Sequence, residues 1–166
     1  MKNALVVIDV QNNFAVEKAA DLPEKILQHI KSNKYDYVIF TKFLNLPSSN
    51  FHKILGYKKV TGPPATNIHP ILVGLTNKNN TFEKVTYSAF KDPEFVDFLN
   101  KHMIKELFLC GINIDGCVLA TAYEAFDLGY KVKIIEELSS VASFRDDYED
   151  SAKVIIARNL KRKPPK

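Results

Sequence analysis

The sequence predicts an α/β fold, a three-layer α/β/α sandwich around a mostly parallel, Rossmann-like sheet. Two observations predict it. Short runs of β-branched and aromatic residues recur along the 166 residues, and they are continuously apolar rather than alternating, as strands covered on both faces are. Segments with helical start and stop signals fall between them, which is the alternation of a sheet crossed by helices on both sides.

The run ALVVID (4–9) is the first strand. LPEKILQHIKSN (22–33) follows as a helix, with Pro23 in the first turn, where a missing N–H leaves no bond unmade. DYVIFT (36–41) is the second strand, and SSNFHKILGY (48–57) reads as a helix with apolar residues at 51, 54 and 55. Residues 60–81 are rich in Pro, Gly, Asn and Thr. They predict a loop, a short helical turn at PILVGL and a second loop leading to a brief strand at TFEKV. DPEFVDFLNKHM (92–103) is a helix capped by Asp92 before Pro93. KELFLCG (105–111) is a strand, and a helix runs from about 116 to 128, where Gly129 stops it. KVKIIE (131–136) is the last strand, and RDDYEDSAKVIIARNL (145–160) a final helix, apolar on one side. One domain over 1–160 and a basic tail over 161–166 account for the chain.

Composition excludes several classes of function. The net charge of +4 owes much to the tail LKRKPPK, and elsewhere acids interleave with lysines, so no basic face for nucleic acid is expected. No apolar run reaches the length of a membrane span. The start MKNALVVIDVQ has no cleavage pattern, and two cysteines cannot make a disulfide framework, so free thiols and a cytoplasmic location are expected. His29, His52, His69 and His102 are scattered without ligand spacing, so no metal is expected. IDVQNNF lacks the glycines that let a backbone approach a pyrophosphate, so no cofactor is expected.

Ligands of parallel sheets sit beyond the carboxyl ends of the strands, where three residues stand out: Asp9, Lys84 and Cys117. Each alone has a plainer reading. Asp9 could cap a turn, Lys84 could face solvent and Cys117 could simply pack. Placed in the first turn of a helix, however, the Cys117 thiol lies near unpaired N–H groups, which favour thiolate and could hold an oxyanion. A lysine near a carboxylate and a thiol would lower both their pKa values. On this reading Cys117 reacts faster than Cys110 at mildly acidic pH.

The stretches ALVVIDVQNNF, FEKVTYSAF and LFLCGINIDGCVLATAYEAFDLGYKVKIIEE together resemble the isochorismatase-like cysteine hydrolases, the superfamily containing nicotinamidases and N-carbamoylsarcosine amidase. The resemblance covers residues from about 3 to about 145 and is most specific around Cys117. It implies an Asp9, Lys84 and Cys117 triad that hydrolyses a C–N bond of a small non-peptide amide or ureido compound through a thioester. It also implies a cis peptide at Asn113–Ile114, with the backbone N–H groups of Ile114 and Cys117 forming the oxyanion hole. Phe14, Phe43, Tyr87 and Asn113 are expected to wall the substrate pocket, with Ile114 a further candidate. The family's nicotinamidases carry an Asp and two His as metal ligands after the second strand, where this chain has Phe43 and Leu44 in TKFLNLPSSNFH. The cysteine argues against the vinyl-ether cleavage of isochorismatases proper. Asn13 stands where relatives commonly have Asp. Assembly as a homodimer or tetramer acting on a small-molecule substrate is also implied. The alternative is a catalytically silent member working as a binding or scaffold protein.

Overall fold

A computed structural model describes residues 1–161. Five strands, β1 (Lys2–Ile8), β2 (Tyr37–Phe43), β3 (Thr81–Lys84), β4 (Ile104–Ile112) and β5 (Lys131–Ser140), form one sheet in the order β3-β2-β1-β4-β5. Every strand pair is parallel, so the mostly parallel sheet predicted is entirely so within these five strands.

Among the described residues there are six α-helices, α1 (Leu22–Ser32), α2 (Asn50–Lys53), α3 (Pro70–Val73), α4 (Pro93–Lys101), α5 (Leu119–Asp127) and α6 (Asp146–Asn159), and all but α2 pack on the sheet. Side chains of a strand point alternately to its two faces. In β1, Ala4, Val6 and Ile8 therefore pack with Phe95 and Leu99 of α4, Ala122 and Ala125 of α5, and Ala152 and Ile156 of α6. Leu5 and Val7 pack on the other face with Leu22 and Ile26 of α1 and Leu72 of α3. Two cores back to back on one sheet are the three-layer sandwich. Both faces being covered explains why β1 reads as an unbroken apolar run.

Three elements differ from the sequence reading. The helix over 48–57 contracts to α2, because Asn45 draws the chain back by donating to the carbonyls of Tyr57 (2.6 Å) and Lys59 (3.0 Å). Ile54 and Leu55 consequently stay exposed instead of reaching the core. The last strand continues four residues past Glu136, since Ser139 and Ser140 pair with Gly111 and Ile112 beyond an irregularity in the ladder. The helix carrying Cys117 begins with a wide turn over Ile114–Val118, closed by Val118 N–H to the Asn113 carbonyl (3.1 Å), before α5 proper. Apart from Lys161, the basic tail lies outside the described residues. Among the described residues no helix is long and apolar enough to cross a membrane.

The close approach of β1 and β4 depends on Gly111, whose φ of +121° is one that side chains rarely adopt. A Cβ there would overlap the carbonyl oxygen of Ile8. Gly111→Ala should therefore destabilise the fold by about 3 kcal/mol or more, combining backbone strain with a clash in the core. Gly74→Ala, where nothing lies within 4 Å, should stay within about 0.5 kcal/mol of the parent. Urea unfolding of both variants checks this, and equal midpoints would refute the packing argument.

Candidate active site

The carboxyl ends of β1, β2 and β3, and the turn after β4, gather the three residues singled out from the sequence. Asp9 follows β1 directly and is fully buried, with a φ of 52° that turns the chain off the sheet. Its Oδ1 accepts a hydrogen bond from Thr41 Oγ1 (2.7 Å) on neighbouring β2. Lys84 closes β3 at the sheet edge and passes its side chain across the end of β2 to reach Asp9 Oδ2 (2.6 Å). Lys84 Nζ also donates to the Thr86 carbonyl (2.9 Å) and to Cys117 Sγ (3.4 Å), so all three of its protons have acceptors. Phe43 lies beneath the ammonium, its ring centroid 5.3 Å away, adding a cation–π contact.

The electrostatics differ from the sequence expectation at the thiol. Burial by itself disfavours the Lys84 ammonium, but Asp9 and Cys117 outweigh it and hold Lys84 above its ordinary pKa. Lys84 is a fixed cation. Burial and then the charge of Asp9 push the Cys117 thiol up to about 12, against the opposing pull of Lys84. Burial, with the carboxylate beside the thiol, outweighs the pull of Lys84, so the thiol is held above its ordinary pKa and not below it as expected. Cys110 is also pushed up, by burial alone, and belongs to the core.

Asn113 corrects a second expectation. The non-proline cis bond is Ile112–Asn113, one residue earlier than expected, because β4 runs through Ile112 and the chain leaves the sheet at Asn113. Ile114 follows a trans bond, and its side chain is fully buried in the core and does not line the cleft over Cys117. Among the described residues the Asn113 N–H has no hydrogen-bond acceptor. Its side-chain Oδ1 accepts from Ala142 N–H (2.6 Å), which fixes the residue against the segment after β5.

A cleft of about 700 Å³ opens over Cys117, and Phe14, Phe43, Tyr87 and Asn113 all line it. The rings of Phe14 and Phe43 (6.3 Å), Phe43 and Phe51 (4.7 Å), and Phe51 and Tyr87 (4.5 Å) form a continuous aromatic wall. Sequence reasoning missed Phe51, Leu55, Tyr57 and Lys59, which reach the cleft only because the loop after β2 folds back. Asn13 lines it as well, and its bond to the Tyr57 hydroxyl partly offsets the burial that raises that phenol.

Gln11 was also missed as a positioning residue. It is fully buried and clamps β2 to the following loop, donating to the Phe43 and Thr66 carbonyls (3.0 and 2.8 Å) and accepting from Phe43 N–H (2.8 Å). Its signal was a glutamine directly beyond an apolar strand, where an exposed amide would have had no reason to be singled out. Thr121 plays a similar part, donating to the Cys117 carbonyl (2.7 Å) and accepting from Ala89 N–H (3.1 Å), which ties the nucleophile's turn to the segment after Tyr87.

The residues at and after the end of β2 do not suit the metal site that the sequence resemblance raises. Phe43 and Leu44 offer no ligand atoms, and Asn45 spends its amide on Tyr57 and Lys59 and its oxygen on Ser49 Oγ (2.5 Å). Among the described residues no group of three or more His, Cys, Asp or Glu converges elsewhere.

The Isochorismatase domain family matches residues 3–159. Nicotinamidase 3 of Arabidopsis thaliana is 27% identical over 161 residues, spanning 93% of this chain and 80% of that protein. The crystal structure of nicotinamidase PncA from Bacillus subtilis superposes with a TM-score of 0.79 at 25% identity, covering 100% of both chains. N-carbamoylsarcosine amidase from Thermoplasma acidophilum superposes at 0.75 with 22% identity over 97% and 94% of the two chains, a likeness of fold.

Two consequences for thiol chemistry can be measured. Iodoacetamide at pH 7.5 should modify Cys117, which lines the cleft, and leave Cys110 untouched until unfolding. The Cys117 rate should be below that of free cysteine and climb about tenfold per pH unit without levelling between pH 7 and 10, as a thiol pushed up to about 12 requires. A rate at or above that of free cysteine, or one that levels within that range, would overturn this account of the site's charge.

Proposed function

This chain belongs to the isochorismatase family, and from that premise we propose that it is a cysteine amidohydrolase cleaving a C–N bond of a small non-peptide amide or ureido compound. The observation that carries the reading is the contact of one buried ammonium, Lys84 Nζ, with both Asp9 (2.6 Å) and Cys117 (3.4 Å) at the floor of a cleft. Phe43 and Leu44, apolar where nicotinamidases carry metal ligands, favour an amide bound without a metal. The nicotinamidase relatives make nicotinamide the first compound to assay. In keeping with the family resemblance, we take the protein to act as a homodimer or tetramer, and from its two free thiols we take it to act in the cytoplasm.

Asp9 is the base. A thiol pushed up to about 12 does not attack as a standing thiolate, so its proton must leave for Asp9 as Sγ forms its bond to the substrate carbonyl carbon. Lys84 stays charged throughout and stabilises first the carboxylate and then the developing sulfur charge. The N–H of Asn113, free of other acceptors among the described residues, and that of Cys117 are the proposed oxyanion hole, with Asn113 replacing Ile114 in that role. Collapse of the tetrahedral species breaks the C–N bond, and Asp9 returns its proton to the departing amine. Water then adds to the thioester, giving up a proton to Asp9, and the acid and the free thiol are released.

Ammonia release from nicotinamide, acetamide and N-carbamoyl compounds tests the reading. Cys117→Ala and Asp9→Asn should each lower kcat at least about a thousandfold, because each removes a group that takes part in bond making. Mass spectrometry of a rapidly quenched turnover should find the acyl group on Cys117. Binding of these compounds without ammonia release or acylation would instead identify a silent binding protein.

A further inference from the structure

A second cavity of about 430 Å³ adjoins the first and shares Phe51, Leu55 and Tyr87 with it. Its other walls include Ile54, Val85 and the Ser49–Asn50 corner at the start of α2. Ile54 is 73% exposed, Leu55 62%, Tyr87 47% and Val85 37%, so several large apolar groups face water in one place. A contiguous exposed apolar surface of this kind is a cost in water unless something is to be buried on it. Isolated surface hydrophobes need no such explanation, but these continue the aromatic wall that begins above the nucleophile. The loop has reason to display them: Asn45 and the Ser49 cap hold α2 to a single short turn, which keeps Ile54 and Leu55 off the core.

We propose that the cleft over Cys117 continues past the Phe51–Tyr87 pair into an apolar subsite walled by Ile54, Leu55 and Val85, which receives an alkyl or aryl arm of the substrate. This rests on the amidohydrolase reading for its chemistry and narrows the substrate class to amides that carry an apolar extension beyond the scissile group. The occupant is an arm of the substrate because the two spaces lie on either side of one shared wall, Phe51, Leu55 and Tyr87, whose Leu55 and Tyr87 edges are open to water, so a chain tethered at Cys117 reaches the subsite over that apolar edge. The part of the substrate nearest the nucleophile meets Phe43 and Asn113, and the distant part meets Ile54, Leu55 and Val85, with no charged side chain beside them and Ser48–Asn50 and Thr86 at the margins.

Alkylation of Cys117 reads the subsite without requiring turnover. Second-order rates are measured by mass spectrometry for iodoacetamide, N-butyl iodoacetamide and N-hexyl iodoacetamide, each divided by its rate with glutathione. Each methylene buried contributes a few-fold in binding, so the normalised rate for the hexyl reagent should exceed that for iodoacetamide at least tenfold. Ile54→Ser should bring the ratio to near one, and Ile54→Leu should restore it; Ile54 is exposed enough that neither change threatens the fold. Equal normalised rates for all three reagents would overturn the subsite, as would a chain-length gain that Ile54→Ser leaves intact. Flat rates together with a dimer that Ile54→Ser dissociates would assign the patch to a second copy of the chain instead. Failure of the amidohydrolase reading is seen separately, as absence of ammonia release and of acylation.

Discussion

The buried ion pair between Lys84 and Asp9 is the constraint around which the rest of the site is arranged. Removing an ammonium and a carboxylate from water costs several kcal/mol each, and only close contact with full hydrogen bonding offsets that cost. Both are essentially inaccessible, and both are satisfied: Thr41 and Lys84 on the carboxylate, Asp9, Thr86 and Cys117 on the ammonium. The pair also spans the sheet. Lys84 ends the edge strand and Asp9 directly follows the central one, so the contact fixes β3 relative to β1 across the end of β2. Losing either partner would strand a buried charge, which typically costs about 3–5 kcal/mol. Stability and site geometry are therefore held by the same contact.

That pair also decides the state of the sulfur. A lysine by itself would favour a thiolate, yet Lys84 is already engaged by Asp9, and the net effect of burial and the nearby carboxylate is to keep Cys117 protonated. The nucleophile is generated as it is used, with the proton moving only as far as the neighbouring carboxylate. Around it, Gln11, Asn113 and Thr121 hold three separate segments by side-chain bonds to backbone groups. Gly111 lets β4 approach β1 closely enough to bring the Cys117 turn over Asp9.

Much of this was legible only in combination. Asp9 and Lys84 each had a plainer reading alone, as a turn cap and a solvent-facing lysine, and were singled out because both end apolar strands at the edge where Cys117 also lies. Cys117 was distinguishable from Cys110 because one opens a helix and the other lies within a strand. Phe14, Phe43, Tyr87 and Asn113 follow from their nearness in sequence to those strand ends. Phe51, Leu55 and Tyr57 carry no such marker, since their arrival depends on Asn45 bonding to carbonyls twelve and fourteen residues away. The direction of the Cys117 shift was equally hidden. Helix position is local and visible, whereas the balance between Asp9 and Lys84 depends on distances between three separate strand ends.

The sequence by itself determined the α/β layering, the parallel sheet and which three polar side chains sit at its carboxyl edge, because continuous apolar runs can be satisfied only by strands covered on both faces. Tertiary structure alone decided that Lys84 reaches Asp9 over Phe43, that the cis bond precedes Asn113, and that Ile114 turns into the core. It also decided that the loop after β2 folds back as an apolar wall beside the nucleophile. The physical reason is range: periodicity and capping act within a few residues, while burial, charge coupling and cleft shape are sums over groups that only folding brings together.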